Sequence, residues 1–322
     1  MTKIKLKKKP IFIAVAILIG IIVVVSAGVK IKKDLDYKKT YEYRLEQMEY
    51  SKEDVAMLIE KLSNKELDKI LELEYYDIIP KLVKQKYYLH KNLDKYLEYH
   101  EKNNCVKDNM DCFKDIIAII NVGANKEWYT GFIRADTSKG NLMLINKFHK
   151  LDESYSPDDL ANVLNWYAYG NDPKLKEEAY ESFISMYNAA KEDKMNIYMN
   201  SPYRTFQHQE KLYNDYKLWY GQESADTYSA RPGFSEHQTG LAIDIGTYGA
   251  TMNTFDSFPE SQWLQENAHK FGFILRYPKE KEFLTGYIYE PWHYRYVGKD
   301  VAAYIHKNKI TFDEYYAFYI EG

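Results

Sequence analysis

The chain has 322 residues, 45% hydrophobic and 28% charged, which is room for two domains and the ordinary balance of a globular protein. A formal charge of −3 gives no electrostatic footprint for nucleic acid. Two cysteines, Cys105 and Cys112, without a CxxC pair, exclude a Cys-rich structural zinc site.

The amino terminus decides the compartment. Residues 1–10 carry Lys3, Lys5, Lys7, Lys8 and Lys9, and residues 11–29 then run without a charge. Nineteen residues at about 1.5 Å each approach the hydrocarbon thickness of a bilayer. The heavier lysine cluster lies ahead of the span, which predicts a cytoplasmic amino terminus and an outside carboxy terminus. A signal peptide cleaved near Val25-Ser26-Ala27 is the alternative. Both readings place the rest of the chain outside the cytoplasm, where Cys105 and Cys112 could form a disulfide; free buried thiols are the other option.

Residues 30–50 read as a charged, Tyr-rich stalk, and 51–137 as a helical module. Ser51 precedes a stripe at Val55, Leu58, Ile59 and Leu62, with Asp54 in a capping position. Asn64 precedes Leu67, Ile70 and Leu71; Pro80 interrupts; a further helix is expected at 92–102. From 141 to 322 the pattern becomes mixed. Leu142–Ile145 reads as a strand, and Ser156-Pro157 as the start of a helix. Helices are expected over 173–192, 205–220 and 260–270, and strands over 196–199, 241–245, 272–277 and 292–297, with a polar loop at 221–233. Thr311 and Glu314 form a capping-box pattern. Helices and strands without βαβ alternation predict an α+β fold. The 32 tyrosines fit half-buried positions or sugar-facing surfaces, although genomic bias would produce them too.

Two segments carry chemistry. Ser235-Glu236-His237-Gln238-Thr239-Gly240-Leu241-Ala242-Ile243-Asp244 and Glu290-Pro291-Trp292-His293 supply two imidazoles, an aspartate and a further glutamate. Two His and one carboxylate suit a catalytic zinc ion with a position left for water, and a carboxylate outside the ligand set can take that water's proton. Glu290 and His293 would face opposite sides of a regular strand, so a bend at Pro291 is needed to bring them together. Spacing alone leaves open that both histidines are structural. His208 reads as turned away, and His90, His100, His149, His269 and His306 have no partner at metal spacing. Asp226–Arg231 reads as a mobile rim, Trp292 as packing or pocket wall, and Tyr294 as a possible substrate contact.

These words, followed by Tyr294-Arg295-Tyr296-Val297-Gly298, resemble the VanY-type D-alanyl-D-alanine carboxypeptidases, a zinc D-Ala peptidase group that shares its fold with hedgehog amino-terminal domains. Ser201-Pro202-Tyr203-Arg204-Thr205 with Gln209 is similar to the group's third motif, with Pro202 where Gly is usual. The similarity reaches back to Leu144-Ile145-Asn146-Lys147 and Tyr155–Leu160, and covers about 141–305. It implies a small mixed zinc-peptidase domain with a central antiparallel sheet. By resemblance, His237, Asp244 and His293 match the zinc ligands and Glu290 the catalytic base. Arg204 matches the group that meets the substrate carboxylate or developing oxyanion, and Gln209 and Ser235 match polar substrate contacts. The implied substrates are peptidoglycan stem peptides, cut at terminal D-Ala-D-Ala. An L,D cut on tetrapeptide stems, cleavage of the free dipeptide, and a non-catalytic cell-wall binding module are the alternatives.

Overall fold

A computed structural model describes residues 25–26, 28–30, 36, 41–103, 110–170 and 172–322. The expected membrane span at 11–29 lies outside these residues except at 25–26 and 28–29, as does the basic segment 1–10. Among the described residues no helix is long and apolar enough to cross a membrane.

The chain divides into two compact units. One comprises the described residues up to His90 with those of Cys105–Lys114; the other comprises Lys91–Asn104 and Asp115–Gly322. This division runs through the stretch expected as one helical module at 51–137.

In the first unit, α1 (Lys52–Lys61) begins at Ser51, whose Oγ accepts from the Asp54 amide at 3.1 Å. Its apolar stripe buries Val55 and Leu58. α2 (Asn64–Leu71) starts at Ser63, whose amide donates to the Glu66 carboxylate at 2.8 Å. Pro80 does not interrupt this region as expected. It sits in the first turn of α3 (Ile79–Val83), where a missing N–H costs no helical bond. Cys112 is disulfide-bonded, and the chain's other cysteine, Cys105, lies outside the described residues.

The second unit is α+β. A short antiparallel pair, β1 (Leu160–Asn162) and β2 (Lys174–Lys176), leads into α4 (Glu177–Glu192). The main sheet has four antiparallel strands in the order β3 (Tyr198–Ser201), β4 (Ala242–Gly246), β6 (His293–Tyr296), β5 (Phe273–Leu275). Alternation along these strands splits the sheet into two faces. Met199, Ile243, Ile245, Phe273, Tyr294 and Tyr296 join Ala179, Phe183, Met186 and Ala190 of α4 in one apolar core. Asp244, His293 and Arg295 point to the opposite face, because Asp244 pairs with His293 and Ala242 with Arg295. The site is therefore built on the sheet's second face, with the core directly behind it.

Three sequence expectations fail here. Met143–Ile145 is buried but joins no ladder, since Arg295 donates to the carbonyls of Asn141 and Met143. Pro157 opens no helix; Leu160–Asn162 is a strand instead, and Asp159 pairs with Lys176. The loop at 221–233 contains a helix, α6 (Gln222–Tyr228), which follows α5 (Phe206–Tyr220). The Thr311–Glu314 capping box is present and starts α8 (Phe312–Tyr319), beyond α7 (Pro259–Asn267).

Candidate active site

All seven residues singled out in the motifs line one cavity of about 630 Å³: Arg204, Gln209, Ser235, His237, Asp244, Glu290 and His293. Each arrives by a local device. His237 sits in a single turn of 3-10 helix, Glu236–Thr239. Gly240 ends that turn at φ +66°, where a Cβ would come within 2.9 Å of Leu160 and 3.2 Å of the Lys176 amide. A left-handed residue with no room for a side chain must be Gly. Asp244 follows on β4, directly opposite His293 on β6. The bend required at Pro291 is a β-turn: the His293 amide donates to the Glu290 carbonyl at 3.2 Å. The turn brings the Glu290 carboxylate to 3.9 Å from His293 Nδ1.

The three candidate ligands offer atoms that lie within 4.8 Å of one another, and all three residues are buried. His237 Nδ1 faces the Pro202 carbonyl at 2.8 Å, which leaves Nε2 toward Asp244 Oδ2 at 3.5 Å. Pro202 supplies only a carbonyl here, so its missing N–H is no loss. His293 is turned the other way, with Nδ1 3.0 Å from Asp244 Oδ1 and Nε2 3.3 Å from Glu236 Oε2. Two imidazoles and a carboxylate that converge with second nitrogens already engaged fit the donor set of a catalytic zinc ion.

The electrostatics favour a cation at this point. Burial opposes charge on Asp244, yet His237 and His293 hold its carboxyl far below the usual range. Burial also opposes charge on His293, but Asp244 and Glu236 outweigh it and push the imidazole up to about 9. For Glu290, burial wins: its carboxyl is pushed up to about 8, with like charge on Asp244 adding to the effect. A bound dication would reverse part of that shift.

Arg204 is held against this centre. One guanidinium nitrogen donates to Gln209 Oε1 at 2.7 Å; the other donates to Ser201 Oγ at 2.7 Å and lies 3.9 Å from Asp244 Oδ2. The Gln209 amide nitrogen in turn donates to the Ala230 carbonyl at 2.7 Å. Both ends of Gln209 are thus engaged within the protein, and it orients Arg204. Ser235 lines the cavity at the start of the His237 turn. Trp292 is part of the cavity wall, whereas Tyr294 is fully buried in the apolar core behind the sheet and contacts no substrate space. His208 is exposed on α5, and the only three-residue metal cluster among the described residues is His237, Asp244 and His293.

The wall from Asp226 to Arg231 is pinned, where sequence suggested mobility. Asp226 accepts from Arg231 at 2.7 and 3.0 Å and from the Tyr213 hydroxyl at 2.7 Å. The Arg231 guanidinium stacks 4.1 Å over Tyr129. Behind it, buried Lys147 donates to the carbonyls of Asp226 and Gly286, at 2.6 and 2.5 Å, with its ammonium 4.3 Å from the Tyr287 ring centre. Burial pushes the Lys147 ammonium down to about 8.

Sequence reasoning missed the layer under the ligands. Glu236 is 1% exposed; its Oε1 accepts from Arg276 at 2.8 Å and Arg295 at 3.0 Å. Arg276 also pairs with Asp313, to which Asn146 donates. The available signal was an arginine inside each of two short apolar strand patterns. Fully buried arginine needs a carboxylate partner.

The profile of the family described as VanY, D-alanyl-D-alanine carboxypeptidase, matches residues 172–299. A D-alanyl-D-alanine carboxypeptidase of Enterococcus faecium is 35% identical over 185 residues, covering 55% of this chain and 57% of that protein. The bifunctional D-Ala-D-Ala dipeptidase and D-Ala-D-Ala carboxypeptidase VanXYC of Enterococcus gallinarum is 34% identical, covering 55% of this chain and 94% of that protein. The solved structure of the LdcB LD-carboxypeptidase superposes with a TM-score of 0.55 at 36% identity, covering 59% of this chain and 91% of that one.

Proposed function

This chain belongs to the VanY family of D-alanyl-D-alanine carboxypeptidases, and we propose on that ground that it is a zinc metallocarboxypeptidase that removes the terminal D-Ala from peptidoglycan stem peptides. The observation that carries the reading is the placement of Glu290. Its carboxylate lies beside His293 in the same cavity as Arg204 and outside the ligand set, where a general base is needed.

His237 Nε2, Asp244 and His293 Nδ1 would hold zinc, which when bound supplies a Lewis acid and an acidified water. Glu290 takes a proton from the attacking water as its oxygen bonds to the scissile carbonyl carbon. When the C–N bond breaks, Glu290 returns that proton to the departing D-Ala nitrogen. Arg204, fixed by Gln209 and Ser201, opposes the negative charge that grows on the carbonyl oxygen. Its planar fork also suits the terminal carboxylate that marks a carboxypeptidase substrate. Ser235 supplies a further polar contact on the cavity wall.

The compartment belongs to the same reading. The charge-free run 11–29 behind five lysines supports a single-pass anchor with the amino terminus cytoplasmic and the catalytic domain outside. Such a domain faces the cell wall.

The likeness to an LD-carboxypeptidase favours a second substrate, the tetrapeptide stem. One experiment separates these readings. The zinc-loaded full chain is incubated with pentapeptide and tetrapeptide stems, the masses are followed, and the Glu290→Ala variant runs alongside. Loss of one alanine from the pentapeptide, absent in the variant, is expected. Loss only from the tetrapeptide transfers the mechanism to the L,D substrate. No loss from either, in folded zinc-loaded protein, leaves a binding module.

A further inference from the structure

The two candidate histidine ligands use different nitrogens, and the groups that enforce this are of different kinds. His237 leans on a neutral backbone carbonyl, that of Pro202. His293 leans on a carboxylate, that of Glu236, which is adjacent in sequence to His237 and has no place in the proposed chemistry. Glu236 is itself clamped: Oε1 accepts from Arg276 and Arg295, and Oε2 is left for His293 Nε2. The two arginines come from strand β6 and from the residue after β5, and the Arg276 amide bonds the His293 carbonyl. Arg276 is held in turn by Asp313. Glu236, Arg276, Arg295 and Asp313 are all engaged in buried charge pairs.

We propose that Glu236 is a positioning residue for the metal centre: it fixes the His293 ring with Nε2 protonated and Nδ1 turned to the metal. The proposal rests on the reading that His237, Asp244 and His293 bind zinc. A carboxylate on the far nitrogen sets the tautomer of a ligating imidazole and makes the ligand nitrogen more basic. The arginines hold Oε1 of Glu236, which leaves Oε2 aimed at His293.

The test measures zinc affinity by chelator competition and apo-protein thermal unfolding for the wild type and Glu236→Gln. The amide keeps the size and an acceptor oxygen but loses the charge. Zinc affinity is expected to fall about 10- to 100-fold. A purely structural role would lower the unfolding midpoint and leave zinc affinity within about 2-fold of wild type, which would overturn the proposal. Because an uncharged residue beside two buried arginines can prevent folding, a second measurement uses the wild-type zinc protein. Long-range proton–nitrogen NMR should show His293 protonated on Nε2 and metal-bound through Nδ1, and His237 the reverse. His293 bound through Nε2, or lacking the Nε2 proton, would refute the assignment whatever the variant does. Failure of the wild type to bind zinc at all would count against the metal site itself and is read separately.

Discussion

The floor and the wall of the cavity both bury charge, and they neutralise it by opposite means. The floor sets carboxylates against arginines and histidines: Glu236 with Arg276 and Arg295, and Asp244 with His237, His293 and Arg204. Behind the wall, one buried ammonium, Lys147, sits among two backbone carbonyls and aromatic faces with no carboxylate in contact, while the wall's own Asp226 and Arg231 pair nearer the surface. A floor of paired ions favours a cation and a defined proton position, so changes there should strike chemistry and metal binding. A wall of carbonyls and rings is a shape-holding device, so changes there should strike stability and its pH dependence.

That contrast can be broken by measurement. The largest effect is expected at Glu290. Glu290→Ala should retain zinc and the fold while kcat falls by about 10²- to 10⁴-fold, the usual worth of a general base; near-normal turnover would remove Glu290 from its role. His237→Ala should lose zinc by metal analysis, because only two buried ligands remain. Full zinc occupancy would mean that the metal sits elsewhere. Arg204→Lys should lower kcat by roughly 10²-fold, because lysine cannot bond Gln209, Ser201 and a developing oxyanion in one plane. An unchanged kcat with a raised KM would assign Arg204 to the substrate carboxylate alone.

The wall gives the smallest and most distinct signature. Lys147 falls from an ordinary value of 10.5 to about 8 in the fold. Between those values the unfolded chain holds more of this proton than the folded one, so the Lys147 contribution to stability rises with pH through that window. The stability of wild type relative to Lys147→Met should therefore grow between pH 8 and 10, by on the order of 2 kcal/mol. Turnover at neutral pH should change far less than in the floor variants. A flat difference would show that carbonyls and rings hold the ammonium charged throughout.

Legibility in the sequence followed how local each feature is. Ser51 with Asp54, and Thr311 with Glu314, were readable because a cap is complete within four residues. α4 was readable over Glu177–Glu192 because one face of a long helix repeats, whereas Lys174–Lys176, expected in the same helix, form β2 against Leu160–Asn162. Leu142–Ile145 and Pro157 were misread, because Arg295 and Lys176 complete those segments from well over ten residues away. The same holds for the rim at Asp226–Arg231, where polar composition suggested motion and Tyr213, Lys147 and Gln209 impose order.

The amino-acid sequence by itself determined the reactive groups. The His237-to-Asp244 and Glu290-to-His293 spacings each lie within one turn-and-strand unit, so local geometry suffices to offer those side chains. Tertiary structure alone decided how they are used. The β4–β6 register sets Asp244 against His293, and the cluster of Glu236, Arg276 and Arg295 chooses the nitrogen that His293 presents. The physical reason is that a buried charge is tolerable only with partners in place, and here the partners of Glu236 lie 40 and 59 residues further along the chain.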